Sequence, residues 1–225
     1  MLLTIGNVLD DAGLDTADQM LADVHWQDGT VTAGATASKV KRNQQAILTD
    51  AGGGKLRRFL FDAVQHHPVM KIAARPNRWT HVMVSRTRDG GGYGMHMDNA
   101  HMRGGTRWIR TDLSYTLFLS DPNDYEGGEL VIQQPGGVQS LKLNRGDLVL
   151  YPSSTLHQVN DVTKGERVVC VGWIESRLRD AAQRELLFDL ENLRTELRKT
   201  LDRQSPELLT LDKTISNLLR MWSEI

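Results

Sequence analysis

The sequence predicts a mainly β protein, a double-stranded β-helix (jelly roll) with flanking helices and a C-terminal helical hairpin, and three observations carry that prediction. From Trp79 onward, short runs rich in Val, Ile, Leu, Thr and Tyr are broken by Gly, Pro, Asn and Asp about every ten residues, the texture of an antiparallel sandwich or barrel. Within them, Leu113 to Ser120 sets Leu113, Tyr115, Leu117 and Leu119 against Ser114, Thr116, Phe118 and Ser120, a period of two. After Glu175 the texture turns helical: Leu186, Leu190, Leu193 and Leu197 recur at +4, +3, +4, and Leu211, Ile215, Leu218 and Trp222 repeat that spacing. Three segments follow: residues 1–78, a helical and mixed stretch packing on the barrel; residues 79–177, the jelly roll; and residues 178–225, a helical extension.

Taken in order, residues 7–24 place Leu9, Leu14, Met20 and Leu21 at helical spacing, with Asp10/Asp11 and Asp15/Thr16 available as caps. Further helices are expected over Gln44 to Asp50 and Leu56 to Gln65, separated by Gly52-Gly53-Gly54. That glycine run reads as a breaker, because it lacks the Lys-Ser/Thr that a phosphate loop needs. Strands are expected over Thr80 to Ser85, Tyr93 to Asp98 after the Gly90-Gly91-Gly92 turn, Leu113 to Ser120, and Glu129 to Gln133 after Gly127-Gly128. Gln139 to Leu143 and Leu148 to Tyr151 flank Asn144-Arg145-Gly146-Asp147, which is hairpin chemistry, and Arg167 to Ile174 closes the set. About eight strands suit a jelly roll, which can hold a ligand in its mouth. Ser205-Pro206 supplies an N-cap and first-turn proline between the two leucine series. Those seams hold more apolar side chains than one hairpin hides, so a homo-oligomer, most simply a dimer through these helices, is expected.

The 225 residues carry 27 Lys+Arg against 28 Asp+Glu, a net of −1, so neither nucleic acid nor an anionic membrane is an expected partner. No stretch approaches the ~18 apolar residues of a membrane span. Met1 to Asp11 lacks basic residues and a small-residue cleavage site. The lone Cys170 excludes an internal disulfide framework and a Cys-rich zinc site, and a cytoplasmic protein is expected.

His96-Met97-Asp98 puts an imidazole and a carboxylate two residues apart, which on a strand sends both to one face. His157, just after Leu148 to Pro152, is the candidate third ligand, because a jelly roll brings a late strand against an early one. Two His and one carboxylate on one face of an octahedron leave three positions open, the arrangement of non-haem Fe(II) oxygenases. Arg167 opens the apolar run Val168 to Trp173, where a guanidinium is costly unless paired. A bidentate carboxylate ligand would pair it; a surface salt bridge to Glu166 or Asp161 is the plainer alternative. His66-His67 suits a helix C-terminus before Pro68, Gly127-Gly128 a tight turn, and Arg110 with Asp112 an ordinary ion pair.

Together Tyr93-Gly-Met-His-Met-Asp98-Asn, Arg110-Thr-Asp-Leu-Ser-Tyr-Thr-Leu-Phe-Leu-Ser120, Tyr125-Glu-Gly-Gly-Glu-Leu130, Gly146-Asp-Leu-Val-Leu-Tyr-Pro-Ser-Ser-Thr-Leu-His157, Gly165-Glu-Arg-Val168 and Trp173-Ile-Glu-Ser176 resemble the bacterial PKHD-type hydroxylases. Those belong to the Fe(II)- and 2-oxoglutarate-dependent dioxygenases related to prolyl 4-hydroxylase, and the resemblance spans roughly residues 75–200. It implies His96, Asp98 and His157 as iron ligands, Arg167 as partner of the distal carboxylate of 2-oxoglutarate, and Tyr93 as a further cosubstrate contact. Asn99, His101 and Arg110 are then the residues expected near substrate; the loop Ala100 to Trp108 departs from the family's usual polar insert. The implied reaction is hydroxylation of a C–H bond of a small-molecule or peptidyl substrate, releasing succinate and CO2, with ascorbate as a reductant. A cupin-like metal-dependent isomerase and a noncatalytic iron- or small-molecule-sensing module are the alternatives, and the isomerase would have no need of Arg167.

Overall fold

The structure, a computed structural model, describes residues 1–32 and 40–224. The chain begins with strand β1 (Leu3–Ile5), helix α1 (Asp11–Ala22), β2 (Trp26–Asp28), β3 (Lys41–Arg42) and β4 (Gln44–Ala46). Helices α2 (Ala51–His66) and α3 (Pro68–Ala74) follow, then β5 (Pro76–Trp79), β6 (Met83–Arg88) and β7 (Gly92–His96). A hairpin of β8 (His101–Gly104) and β9 (Arg107–Arg110) leads to β10 (Leu113–Phe118), β11 (Tyr125–Gly127), β12 (Leu130–Gln134) and β13 (Gly137–Leu141). The last strands are β14 (Leu148–Pro152), β15 (His157–Val159) and the long β16 (Val162–Ser176), before helices α4 (Ala181–Leu197) and α5 (Pro206–Trp222).

The strands form two facing antiparallel sheets. The larger runs β1-β14-β10-β16-β6-β4-β2, with β5 and β11 also on β16, and the smaller runs β13-β12-β15-β7-β3. Strand β10 is buried on both faces. Its Leu113, Tyr115 and Leu117 join Leu56, Leu60 and Val64 of α2 in the main apolar core, while Phe118 meets Leu130 and Ile132 of the smaller sheet. Helices therefore cover the outer face of the larger sheet, and the inner face is left to a cavity between the sheets.

Residues 44–46, expected in a helix, are instead a strand: β4 pairs Gln44 with Arg86 and Gln45 with Ser85 on one side, and Ala46 with Trp26 on the other. A seven-residue helix gains little in isolation, whereas two neighbouring strands satisfy the backbone outright. The glycine run is not a breaker but the first turn of α2. Asp50 caps it by accepting from the Gly53 amide at 2.7 Å, and a Cβ on Gly53 would lie 2.0 Å from the Ile47 carbonyl oxygen. Of the strand expected over Thr80 to Ser85, only the part from Met83 is strand, where β6 begins; residues 80–82 link it to β5, which ends at Trp79.

The C-terminal hairpin is present, and Ile215 of α5 packs with Leu211, Leu218 and Trp222 as the spacing suggests. Helix α4 is turned from its expected seam: it buries Arg184, Leu187 and Glu191, while Leu186 and Leu193 are 47% and 49% exposed. Glu191 accepts from Arg75 and Arg194, and Arg194 and Arg198 reach Asp212 of α5 at 3.0 and 3.1 Å, so charge rather than leucine ties this face down.

Candidate metal and cosubstrate site

Strand pairing makes the site. His157 on β15 lies opposite His96 on β7, and their ring centroids stand 4.3 Å apart. The β7 strand ends at His96, so Asp98 arrives from the segment beyond it rather than by strand alternation. One ligand atom from each of His96, Asp98 and His157 lies within 4.8 Å of the others, and His157 Nε2 is 3.8 Å from Asp98 Oδ1.

Each donor is held by a second partner. His96 Nδ1 meets the Gly94 carbonyl at 2.8 Å and His157 Nδ1 the Thr155 carbonyl at 2.9 Å. A carbonyl only accepts, so Nδ1 carries a proton in both rings, which leaves Nε2 as the atom available to a metal. Burial, then the neighbouring His157, holds the His96 imidazole below its ordinary pKa and keeps it neutral. Asp98 Oδ2 accepts from the Ser114 hydroxyl at 2.6 Å, and Ser114 in turn touches Ser153 at 2.8 Å. Two imidazoles and a carboxylate are a donor set that a divalent iron accepts. Outer partners of this kind fix ring tautomer and carboxylate direction.

Arg167 is 2% exposed on the inner face of β16. Its guanidinium carbon sits 5.4 Å from the Phe118 ring centroid, and its Nε is buried without a hydrogen-bond partner. Both carboxylates that could have claimed it are engaged elsewhere: Glu166 with Arg86 and Arg88, Asp161 with Arg42. The Tyr125 hydroxyl lies buried beside it. A buried guanidinium that lines the cavity with its Nε open fits an acceptor-rich ligand such as a carboxylate.

Tyr93 stacks on His96 at 3.6 Å between ring centroids, and burial, then Asp98, pushes its phenol up to about 12. Register breaks between His157 and Val159, which lets Tyr93 and His96 both face the cavity although they are three residues apart. Asn99 lines the same cavity. His101 stands exposed on β8 and Arg110 points away, bound to Asp112 at 2.7 Å and Glu224 at 3.1 Å; neither lines the cavity.

The residues that sequence reasoning missed are Ser114, Tyr125, Tyr151 and Lys41. Ser114 lay within the alternation of β10, on its polar face, and Tyr125 opened a quoted motif. Tyr151 packs edge-on to His157 at 5.2 Å. Lys41 lines the cavity with its Nζ 5.5 Å from the Tyr93 ring centroid; burial pulls its ammonium down to about 8.

Residues 82–175 match the family model for the 2OG-Fe(II) oxygenase superfamily, and residues 181–224 match that for the PKHD-type hydroxylase C-terminal domain. The chain is 49% identical to a PKHD-type hydroxylase of Hyphomonas neptunium and 46% identical to one of Synechococcus elongatus, each over 100% of both chains. Among solved structures, it is similar to a Trichoplax adhaerens prolyl hydroxylase in complex with a hypoxia inducible factor oxygen degradation domain peptide fragment. That likeness has a TM-score of 0.59 and 17% identity over 77% of this chain and 83% of the other. A viral collagen prolyl hydroxylase of Paramecium Bursaria Chlorella virus-1, as a 2OG complex, gives 0.54 and 16% over 78% and 96%. At such identities the likeness is one of fold.

Proposed function

Because the chain belongs to the PKHD-type hydroxylases of the 2OG-Fe(II) oxygenase superfamily, we propose that His96, Asp98 and His157 hold its iron and that Arg167 anchors the distal carboxylate of 2-oxoglutarate. The enzyme is a 2-oxoglutarate-dependent dioxygenase that hydroxylates a C–H bond. Iron and 2-oxoglutarate supply the oxidising chemistry: one C–H bond, O2 and 2-oxoglutarate go in, and the alcohol, succinate and CO2 come out.

The observation that carries the residue assignment is the buried Arg167, open at Nε and without an ion pair among the described residues, facing the same cavity as the three ligands. A buried unpaired cation is expensive, and a bidentate carboxylate relieves it. Tyr125 would add a hydroxyl donor to that carboxylate, and Tyr93 would flank the chelated end. Ser114 keeps Asp98 aimed at the metal, the backbone carbonyls keep both imidazoles in one tautomer, and Phe118, Ile132 and Val169 keep water from the interior. A cupin-like isomerase or a noncatalytic sensor would leave Arg167 without a role.

The substrate in this proposal is a small molecule or a peptidyl side chain. We place the protein in the cytoplasm, where its single, buried Cys170 stays reduced, and pair two copies through the exposed Leu186 and Leu193 of α4. The test of the assignment is succinate release on addition of Fe(II) and 2-oxoglutarate, compared between the native chain and its His157→Ala and Arg167→Ala variants. Undiminished release in either variant removes that residue from the site.

A further inference from the structure

Of the three candidate ligands, Asp98 alone lies outside a strand: β7 ends at His96 and β8 begins at His101. What holds it comes from residues 110–114, where β9 ends and β10 begins. The Thr111 amide donates to the Ala100 carbonyl at 3.0 Å and the Thr111 hydroxyl to the Asn99 carbonyl, so the backbone just after Asp98 is gripped twice. Ser114 takes the carboxylate itself at 2.6 Å. Backbone and side chain of Asp98 thus depend on one short segment.

That segment is anchored by Asp112, whose side chain is 8% exposed and does not line the cavity. Its carbonyl accepts from the Ser153 amide at 3.1 Å, its Oδ2 from the Ser176 amide at 2.8 Å, and its own amide donates to the Ile174 carbonyl at 2.9 Å. The start of β10 and the ends of β14 and β16 therefore meet on one residue. Ser153 also carries the hydroxyl 2.8 Å from that of Ser114, so Asp112 places both hydroxyls behind Asp98, one along the chain and one through an amide. Arg110 closes the Asp112 carboxylate with Nε at 2.7 Å and Nη2 at 3.0 Å, and Glu224, beyond the end of α5, holds the same guanidinium at Nη1 at 3.1 Å. A carboxylate with one amide and two guanidinium N–H donors in place is a firm anchor.

Resting on the assignment of Asp98 to the iron, we infer that Asp112 is a positioning residue for that ligand, and that the helical extension bears on the metal through Glu224 and Arg110. Asp112 touches neither metal nor substrate; it fixes residues 111–114, and these fix the backbone and the carboxylate of Asp98. An ion pair of Arg110 and Asp112 that only stabilised the fold would lower the unfolding midpoint and leave metal binding as it is.

The probe is Co(II), which takes the same nitrogen and oxygen donors and shows visible absorption bands, titrated into the metal-free full-length protein. Asp112→Ala is expected to weaken Co(II) about tenfold and to shift those bands. Asp112→Asn keeps an oxygen for the Ser176 amide and is expected to lose about threefold, and Glu224→Gln about twofold, the reach of an exposed ion pair. Because the effect passes largely through Ser114, Asp112→Ala made on top of Ser114→Ala is expected to cost about threefold rather than tenfold. Native affinity and native bands in both Asp112 variants overturn the inference, and so does full additivity with Ser114→Ala. Should Asp112→Ala not fold, Asp112→Asn takes its place in both comparisons and the same outcomes decide. Unchanged affinity in Glu224→Gln overturns the part given to the helical extension. A native protein that takes no Co(II), or an Asp98→Ala variant that takes it as tightly as native, would instead overturn the assignment of Asp98 itself.

Discussion

Ser114 on β10 donates its hydroxyl to Asp98 Oδ2 at 2.6 Å, linking the central strand of the larger sheet to the one carboxylate of the candidate metal site. Ser153, 2.8 Å beyond, supports the same hydroxyl. Asp98 lies past the end of β7, so no strand pairing fixes its side chain, and this bond does. Ser114→Ala is expected to keep the fold and weaken iron binding about 10–100-fold, the usual effect of losing an outer-shell partner. Metal titration checks it; an unchanged affinity would leave Asp98 oriented by its backbone alone.

His96→Ala, Asp98→Ala and His157→Ala are each expected to lose iron and 2-oxoglutarate turnover with the circular dichroism spectrum unchanged. Elemental analysis reads the iron directly, and full occupancy in any of the three excludes that ligand.

Arg167→Ala is expected to keep iron but weaken 2-oxoglutarate by about 2–5 kcal/mol, since a buried carboxylate would lose a charge-assisted partner. Lys at this position should recover part of the loss, having the charge without the planar fork. Titration of the iron–2-oxoglutarate absorption band measures both; equal affinity in the Ala variant returns Arg167 to a structural role.

The charged cluster on α4 predicts a stability effect far from the metal. Glu191→Ala leaves Arg75 and Arg194 without their shared buried carboxylate, and a cost of about 3–5 kcal/mol is expected. Thermal unfolding should show it as a clearly lowered midpoint, and a midpoint within a degree of native would mean that water replaces the carboxylate.

Leu186→Asp with Leu193→Asp is expected to convert a dimer into a monomer in light scattering at micromolar concentration. A native chain already running at 25.2 kDa would sink the association through α4.

Much of this was legible in the sequence, for reasons that differ by element. The β region announced itself because β10 alternates strictly and turn residues precede β14, although Asn144 to Asp147 joins two sheets rather than closing a hairpin: β14 pairs with β1 and β10, and β13 with β12. That His96 and Asp98 would come together as candidate metal donors was legible because such residues are few and their spacing is short. The segment Gln44 to Ala46 was not: Gln, Ala, Ile and Leu favour helix locally, and only the distant β2 and β6 make a strand of it. The buried face of α4 escaped for a related reason, since Arg184 and Glu191 count as solvent-facing until their partners on other elements are known. Lys41 escaped for want of any local pattern, its place being set by pairing with Tyr93 across fifty residues of chain.

The tie between the helical extension and the barrel bears on the timing of synthesis. Glu224 holds Arg110, Arg110 holds Asp112, and Asp112 fixes the start of β10 by accepting from the Ser176 and Ser153 amides. A ribosome delivers Ser114 and His157 well before α5, so a nascent chain carries all three candidate iron ligands while the brace behind them is still missing. The start of β10, and with it Ser114, therefore gains its last brace only when α5 has emerged and docked.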